Sequence, residues 1–364
     1  MALSSSGSLS FSQIESEFGS NTGRKLGNYR ISQTVGQLSN LPLDTGIPQT
    51  GTIKFSDFRG KELNIVVDCF SNSPGGSNNY NFDAYSDRFA SGNYVIVGGF
   101  RTSVTKAQWN DGGVSGKTVI IHINQTFGSN GASNRDDCAF CTGPQNNNNN
   151  QPGWPSTTEL SVNVGTEGYV SGRGGKGGHG GQSQDDGFSG ERGELGFPGT
   201  SAMKIISGTP VIGEARIFAG GGGGGGGTGI DMSGEAGEDA APHSVQLGGA
   251  GGGGGAGIPG GVAGEGSTSP QENDSPDGEA GGQINGGEGG LGFLSQGQFV
   301  DDDDHEQGRY GVRAGNGGNG GNRGQNGNSG TLPDLINQGH QDYGSDDFAT
   351  PAAGGLAGHK YRNY

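Results

Sequence analysis

Glycine recurs at every third position over long stretches of this chain, and no other feature limits the fold as strongly. Unbroken series with this spacing run from Gly172 to Gly181, from Gly248 to Gly260 and from Gly315 to Gly330. A period of three fits neither an α-helix nor a β-strand, and it is the period of polyproline II geometry. Such a helix makes no internal hydrogen bonds, so its backbone groups need partners in water or in neighbouring helices.

The glycine series allow two interpretations, a flexible linker or an ordered bundle of polyglycine II helices. Glycine at every third position lets backbones approach closely, because no Cβ intervenes. At polyproline II rise, the two longer series would span about 40 Å and about 50 Å, so they could pack side by side. We expect the ordered bundle, because the period is strict and the series are of similar length.

Composition divides the chain near residue 165. Of the 83 glycines, 58 lie between residues 165 and 330, and hydrophobic residues make up only 28% of the chain. One large apolar core is therefore not expected beyond the first half. We predict three parts, namely a small N-terminal module at 1–60, a β-rich domain at 61–164 and a glycine-rich module with acidic loops at 165–364.

The net charge of −16 is concentrated in one region. Between Asp231 and Glu306 there are 15 acidic residues and no Lys or Arg. Contact with nucleic acid phosphates requires basic side chains, so nucleic acid is excluded as a partner, and adsorption to anionic lipid is disfavoured. Two roles for the charge stay open, keeping a glycine-rich surface soluble or binding divalent cations.

Three cysteines, Cys69, Cys138 and Cys141, are too few for a disulfide framework. The first residues lack a basic region followed by an apolar one, so no secretory signal is expected. No apolar run approaches the length of a membrane span. We expect synthesis and assembly in a cytoplasm.

β-Branched runs bounded by Gly, Asn and Pro predict strands in the middle of the chain. Ser12–Glu15 reads as a capping box that opens a short helix ending at Gly19. The predicted fold is mainly β with a glycine-rich polyglycine II helical bundle. It has a small α N-terminal module, a β-rich middle and a solenoid-like β segment leading into a polyglycine sandwich. The predicted strands are 63–67, 94–97, 118–123, 160–164, 202–206 and 215–219.

Two stretches near the N-terminus, Leu9–Gly19 and Gly51–Gly60, echo one another through Phe11-Ser12-Gln13-Ile14 and Phe55-Ser56-Asp57-Phe58. They resemble an N-terminal module of tailed-phage virion proteins, especially tail-fibre and related structural proteins of large marine myophages. The resemblance implies attachment to the virion. The candidate attachment residues are Phe11, Ile14, Phe18, Phe55 and Phe58.

The glycine-rich half resembles the glycine-rich adhesins at the tips of T-even-like phage long tail fibres. The similar residues are Gly172–Gly178, Ile217–Gly227, Gly318–Gly321 and Leu356–Tyr361. The resemblance implies polyglycine helices packed into a sandwich, with connecting loops that touch the host receptor. The loops are Asp231–Val245, Ser267–Glu279, Leu294–Arg313 and Thr331–Ala353, and their strong acidity departs from the family. The receptor-contact candidates are Phe299, Asp301, Asp302, Asp303, Asp304, His305, Tyr310, Tyr343 and Phe348.

No motif predicts an enzyme. Gly112–Thr118 resembles a phosphate loop but has Asp111 where the first glycine belongs, so a hairpin turn is expected. The lone Cys138-x-x-Cys141 lacks further metal ligands and is expected to be a pair of reduced thiols in a loop. Asp301–Glu306 fits either a hard-cation site or a solvated acidic tip. No catalytic set is present, so no cofactor and no metal are expected, with a divalent cation left open as an alternative.

The sequence therefore predicts a non-enzymatic phage virion protein, a tail fibre or tail-associated adhesin exposed on the particle exterior. Its expected partners are other virion proteins, through the N-terminal module, and a host cell-surface receptor, either a glycan or an outer-membrane protein. A homo-oligomer is left open. The alternatives are a purely structural virion component, such as a capsid-decorating fibre or baseplate accessory, and an ice-binding glycine-rich protein.

Overall fold

The computed structural model describes most of the chain in fifteen stretches. They are residues 3–18, 25–29, 47–48, 51–61, 65–69, 82–85, 93–97, 118–130, 138–144, 153–182, 191–231, 246–267, 275–300, 307–338 and 351–363.

Strands dominate the regular structure. The α-helix α1 spans Phe11–Phe18, and 3-10 turns span Leu26–Tyr29, Phe55–Phe58 and Glu214–Arg216. The strands are β1 Ile65–Cys69, β2 Phe82–Asp83, β3 Asn93–Val97, β4 Thr118–Ile123, β5 Thr126–Phe127, β6 Cys138–Cys141, β7 Glu159–Val164, β8 Tyr169–Ser171, β9 Ser201–Ile205, β10 Val211–Ile212, β11 Ile217–Phe218, β12 Ile230–Asp231, β13 Gln246–Leu247, β14 Leu294–Val300, β15 Gln307–Arg313, β16 Asp334–Gln338 and β17 Tyr361–Asn363.

The N-terminal residues form a small hydrophobic cluster of their own. Its buried members are Leu3, Ile14, Tyr29, Ile47 and Phe58. Helix α1 begins earlier than predicted. The Ser10 Oγ accepts the Gln13 N–H at 3.3 Å and the Gln13 Oε1 accepts the Ser10 N–H at 2.7 Å. The capping box is thus formed by Ser10 and Gln13. The prediction that Ser12 caps the helix was wrong, because Ser10, two residues earlier, is followed by Gln13 at the same spacing that separates Ser12 from Glu15.

Three parallel sheets form a solenoid, to which each pass of the chain adds strands. The first sheet has the order β10-β7-β4-β1-β3, the second β11-β8-β5 and the third β17-β9-β6-β2. All pairs are parallel except β1 with β3. Two successive passes, β4-β5-β6 and β7-β8-β9, visit the sheets in the same sequence. The prediction of a β-rich fold is confirmed, and the sheets join strands from both sides of residue 164.

The solenoid interior is filled by residues stacked in register. Phe127, Val170 and Ile217 pair along the second sheet and are buried. In the third sheet Phe82 pairs with Phe140, and their rings stack at 5.4 Å. Because β-branched and aromatic side chains pack well on a pleated, half-buried surface, these runs fix the register of each pass.

The glycine-rich segments leave the solenoid at one corner. Residues 172–200 separate β8 from β9, and residues 219–360 separate β11 from β17. In both cases the chain leaves the second sheet and returns to the third. The glycine-rich part is thus inserted twice into the same corner and is tied to the last two passes of the solenoid.

Backbone hydrogen bonds between the glycine segments recur at every third residue. In the central segment 219–229, Gly220, Gly221 and Gly222 donate to three different neighbours, at Thr200, Ala256 and Gln325. The next three glycines repeat the same order of partners. The central segment also accepts bonds from three further segments, at 172–182, 314–323 and 351–359. It is therefore surrounded on six sides.

The same pattern around segment 248–258 defines three layers. The first layer contains 191–200, 172–182 and 259–267, in that spatial order. The middle layer contains 351–359, 219–229, 248–258 and 275–283, and the third contains 325–333, 314–323 and 285–293. Among the described segments, only 219–229 and 248–258 have six neighbours, and they carry the longest glycine runs. Outer segments keep one or two glycines per triplet and place other side chains outside.

The ten hydrogen-bonded segments of these three layers are called the glycine lattice here. Close approach between their backbones explains why the lattice requires glycine. A Cβ added at Gly224 would lie 1.8 Å from the Gly318 oxygen, and one at Gly174 would lie 1.8 Å from the Gly255 oxygen. Contacts this short do not occur for real Cβ atoms, so a larger side chain would displace a neighbouring segment. Every backbone N–H in the central run finds a carbonyl partner, as buried amides require.

Candidate functional site

The end of the glycine segments that faces away from the solenoid is called here the distal end. Three backbone hydrogen bonds lie at this end. The Gly181 N–H donates to the Gly227 carbonyl, the Gly227 N–H to the Ala250 carbonyl, and the Thr228 N–H to the Thr331 carbonyl. The segments alternate in direction, so five connections begin and end there. These connections join 182 to 191, 231 to 246, 267 to 275, 300 to 307 and 338 to 351. Described segments of every layer therefore run to the distal end.

An antiparallel sheet extends the third layer beyond the glycine lattice. Strand β14 pairs with β15, and β15 pairs with β16. Phe299 is opposite Gly308, while Tyr310 lies between Gly297 and Asn337. The sequence predicted polar loops over 294–313 and 331–353, and this was wrong for the parts that form these strands. Cross-strand pairing, which is not visible in local sequence, stabilises them.

A polar cavity of about 470 Å³ lies in the first layer near the distal end. It is centred on His179, whose Nε2 is 2.7 Å from the Lys176 Nζ and whose Nδ1 accepts the Glu265 N–H at 3.1 Å. The carboxylates of Glu194 and Glu265 lie 3.9 Å and 3.8 Å from opposite ring nitrogens. Because they flank the ring from two sides, they do not converge on one point. Within the described stretches no three His, Cys, Asp or Glu side chains group as a metal site.

Aromatic stacking joins the glycine segments to the solenoid at the opposite end. The Arg323 guanidinium lies 4.7 Å from the Tyr169 ring centroid and 4.9 Å from that of Phe218. These two rings stack on each other at 5.3 Å. Burial lowers the pKa of Arg323. The Gly324 N–H also donates to Ala219, so side chain and backbone together hold this turn against the second sheet.

Strand β17 closes the third sheet with a partly buried tyrosine. Burial, and secondarily the Glu214 carboxylate, raise the pKa of Tyr361 to about 12. The Tyr361 hydroxyl has no hydrogen-bond partner among the described atoms. The Lys360 Nζ contacts Glu214 at 3.4 Å, so the C-terminal strand is anchored to the turn before β11.

The structure places only some of the predicted contact residues. Phe299 lies in β14 and Tyr310 in β15. The other receptor-contact candidates lie outside the described residues, and they are Asp301, Asp302, Asp303, Asp304, His305, Tyr343 and Phe348. The contact role of the whole set stays a prediction.

The predicted attachment residues divide into interior and surface. Ile14 and Phe58 are fully buried in the N-terminal cluster. Phe55 is 40% exposed, and its ring meets the half-buried Phe11 ring at 5.9 Å. Phe18 ends α1. Their role in attachment stays a prediction.

Other motifs are placed differently from the sequence expectation. Cys138 and Cys141 lie in strand β6 and are not joined in a disulfide, so the assignment of this motif to a loop was wrong. Residues 112–117 lie outside the described residues, so the hairpin turn there stays a prediction, and strand β4 begins after them at Thr118. No described helix is long and apolar enough to cross a membrane.

The sequence analysis missed a column of asparagines on the third layer. Asn316, Asn319 and Asn322 occupy the third position of successive glycine triplets, and their side chains bond to segment 285–293. The sequence does show Asn recurring at every third residue here. The role of these asparagines is visible only when the neighbouring segment, 285–293, is known.

Residues 76–363 match the family model described as phage tail fibre adhesin Gp38. Among solved structures, the chain is similar to the gp37–gp38 adhesin tip complex of the bacteriophage S16 long tail fibre. The identity is 16%, the TM-score is 0.32, and the match covers 99% of this chain and 96% of that one. No curated protein matches the chain.

Proposed function

The chain belongs to the Gp38 family of phage tail fibre adhesins, and we propose that it contacts the host through the connections at its distal end. As a tail fibre adhesin it is a virion protein exposed at the fibre tip. The observation that carries the proposal is that the described segments on both sides of the five connections run to the same end of the glycine lattice and come from all three layers. Binding residues commonly lie on loops held by a rigid scaffold. The receptor is a cell-surface glycan or an outer-membrane protein.

The glycine segments are polyglycine II helices in this proposal. Three observations support it: hydrogen bonds at every third residue, successive residues that donate in three directions, and backbone contacts that leave no room for a Cβ. A helix with three residues per turn projects successive N–H groups about 120° apart. A sandwich of such helices is rigid without a large apolar core.

The N-terminal module attaches the adhesin to another virion protein. The family match begins at residue 76, so this module lies outside the adhesin part. Phe55 and the half-buried Phe11 form an aromatic pair at its surface. Exposed aromatic side chains are favoured anchors in protein interfaces. Ile14 and Phe58 would contribute indirectly, by holding the cluster together.

Adhesion through this surface requires neither catalysis nor a cofactor. The distal acidic residues would act as a charged contact surface without a bound cation. Adsorption is therefore expected to be the same in calcium and in EDTA, and a loss of adsorption in EDTA would contradict the cation-free contact.

The proposal is tested by changing the distal end and measuring adsorption of the purified full chain to host cells. In one variant Asp301, Asp302, Asp303 and Asp304 are all replaced by Ser. We expect at least a tenfold loss of saturable binding, because the charged contact surface is removed while the lattice is untouched.

The matched control lies at the other end of the same module. Ile284 is 63% exposed at a turn beside the solenoid, and Ile284→Ser is expected to adsorb like the wild type. Wild-type adsorption by the distal variant, or equal losses in both variants, would contradict the assignment of contact to the distal end.

A further inference from the structure

The third layer carries a regular column of side-chain amides on its outer surface. The Oδ1 atoms of Asn316, Asn319 and Asn322 accept N–H groups of segment 285–293 at 2.8 Å, 2.9 Å and 3.1 Å. The donors are Gly292, Gly289 and Gly286. We call the surface formed by these three asparagines the amide face. Each asparagine oxygen thus accepts an N–H group that, inside the lattice, would donate to the backbone carbonyl of a neighbouring segment.

This bonding fixes the direction of the free half of each amide. A backbone N–H can only donate, so the oxygen must face segment 285–293 and the Nδ2 group must point away from it. No partner for these three Nδ2 groups lies among the described residues. Asn319 and Asn322 are exposed and Asn316 is half-buried. The face therefore presents three oriented donors to solvent.

The donors are evenly spaced and rigidly held. Three residues of polyproline II geometry advance about 9 Å, so the column spans about 19 Å. Both bonded segments belong to the hydrogen-bonded lattice, which limits their movement. A ligand that matches this spacing would bind with little ordering cost on the protein side.

The surroundings of the amide face are nearly neutral and mostly polar. Gln325, Asn328 and Thr331 of the adjacent segment are all exposed. Across residues 285–293, 314–323 and 325–333 the charged side chains are Glu288 and Arg323. These segments also expose the apolar side chains of Leu291, Phe293 and Leu332. The face lacks the cluster of basic groups that nucleic acid requires. A neutral polar chain remains the best match.

We propose that the amide face binds an extended, neutral, N-acetylated polysaccharide lying along the asparagine column. In an extended β-1,4-linked chain, alternate sugars turn the same way, so every second acetamido carbonyl faces one side. That disaccharide repeat is about as long as one triplet of the column. Each Asn Nδ2 then donates to one acetamido oxygen. This site is separate from the distal end and does not depend on the proposed receptor contact there.

The test uses the full chain, with chitohexaose as the probe, and measures binding by calorimetry and ligand-observed NMR. The triple variant Asn316→Asp, Asn319→Asp and Asn322→Asp keeps the oxygen that accepts each glycine N–H but removes the outward donor. Its unfolding temperature is expected to equal that of the wild type. Its affinity for chitohexaose is expected to fall at least tenfold.

Asn326→Asp is the matched control. The Asn326 Oδ1 accepts the Ala357 N–H at 2.8 Å in the same manner, but at a different edge. It should bind chitohexaose like the wild type, and so should the distal Asp-to-Ser variant, which separates this site from the distal contact. Three results would overturn the proposal. They are no binding by the wild type, unchanged affinity in the triple variant, or equal affinity for cellohexaose, which lacks acetamido groups.

Discussion

A single methyl group at the centre of the glycine lattice is predicted to destabilise the module strongly. Gly224 lies in the middle of the six-neighbour segment and donates to Gly253 at 2.8 Å. In Gly224→Ala the new Cβ would lie 1.8 Å from the Gly318 oxygen and 2.5 Å from its carbonyl carbon. Both are backbone atoms, so no rotamer change relieves the clash and segment 314–323 must move away.

The magnitude follows from the bonds that this movement breaks. Segment 314–323 donates to the central segment at Gly315, Gly318 and Gly321, at 2.9, 2.8 and 2.8 Å. Loss of two or three such bonds costs about 2–3 kcal/mol at roughly 1 kcal/mol each. Overpacking adds about 1–3 kcal/mol, and reduced freedom of the unfolded chain returns about 0.4–1 kcal/mol. The expected net loss is about 2–6 kcal/mol, or a fall of about 4–24 °C in Tm.

The assay is thermal unfolding of the purified chain, followed by circular dichroism and calorimetry. Gly282→Ala is the control, because its added Cβ meets nothing closer than the Asn285 oxygen at 3.6 Å. The control is expected to be as stable as the wild type or slightly more stable. If Gly224→Ala also unfolds at the wild-type temperature, the segments are not packed backbone to backbone, and the lattice argument fails.

Three further predictions concern the ends of the module. Arg323→Ala removes the stacking on Tyr169 and should lower stability by about 1–2 kcal/mol, measured by urea unfolding, with no loss if the contact is irrelevant. The pKa of Tyr361 is raised to about 12 in the folded chain, compared with about 10 in the unfolded chain. The contribution of the neutral tyrosine to stability is therefore complete below pH about 10 and is lost as the pH rises through about 12. Over this pH range the unfolding temperature of Tyr361→Phe should therefore fall less than that of the wild type. Equal falls in the two proteins would contradict the raised pKa of Tyr361. Deleting residues 1–60 should abolish incorporation into phage particles, which immunoblotting of purified virions would detect.

Local sequence was sufficient for the β-branched strands of the solenoid, but not for β6, which was predicted to be a loop. The prediction for 118–123 coincides with β4, and that for 160–164 differs from β7 by one residue. Runs such as Thr118–Ile123 are β-branched and bounded by turn residues, so backbone preference and burial agree. Where the two disagree, as in the Gly- and Gln-rich β14, the sequence predicted a loop and pairing with β15 decided the outcome.

Partner choice could not be read from the sequence. The period of three predicts that segments bond to neighbours, but every glycine triplet offers the same donors and acceptors. Which segment lies beside which is set by connection lengths and by the corner at which the chain leaves the solenoid. The asparagine column is an example. Neither the hydrogen bond that Asn319 accepts nor the direction of its free amide group could be predicted before Gly289 was known to lie beside it.

The lattice separates the stability of this adhesin from the chemistry of its surface. In a protein with an apolar core, side chains that fold the chain and side chains that bind a ligand compete for the same positions. Here backbone groups hold the central segments together, so one or two positions in each outer triplet are fixed as small residues and the others are free. His179, Asn319 and Leu356 all occupy such free positions. Surface chemistry can therefore change along each segment at little cost in packing, and this favours the fold as a scaffold for recognition at its faces as well as at its distal end.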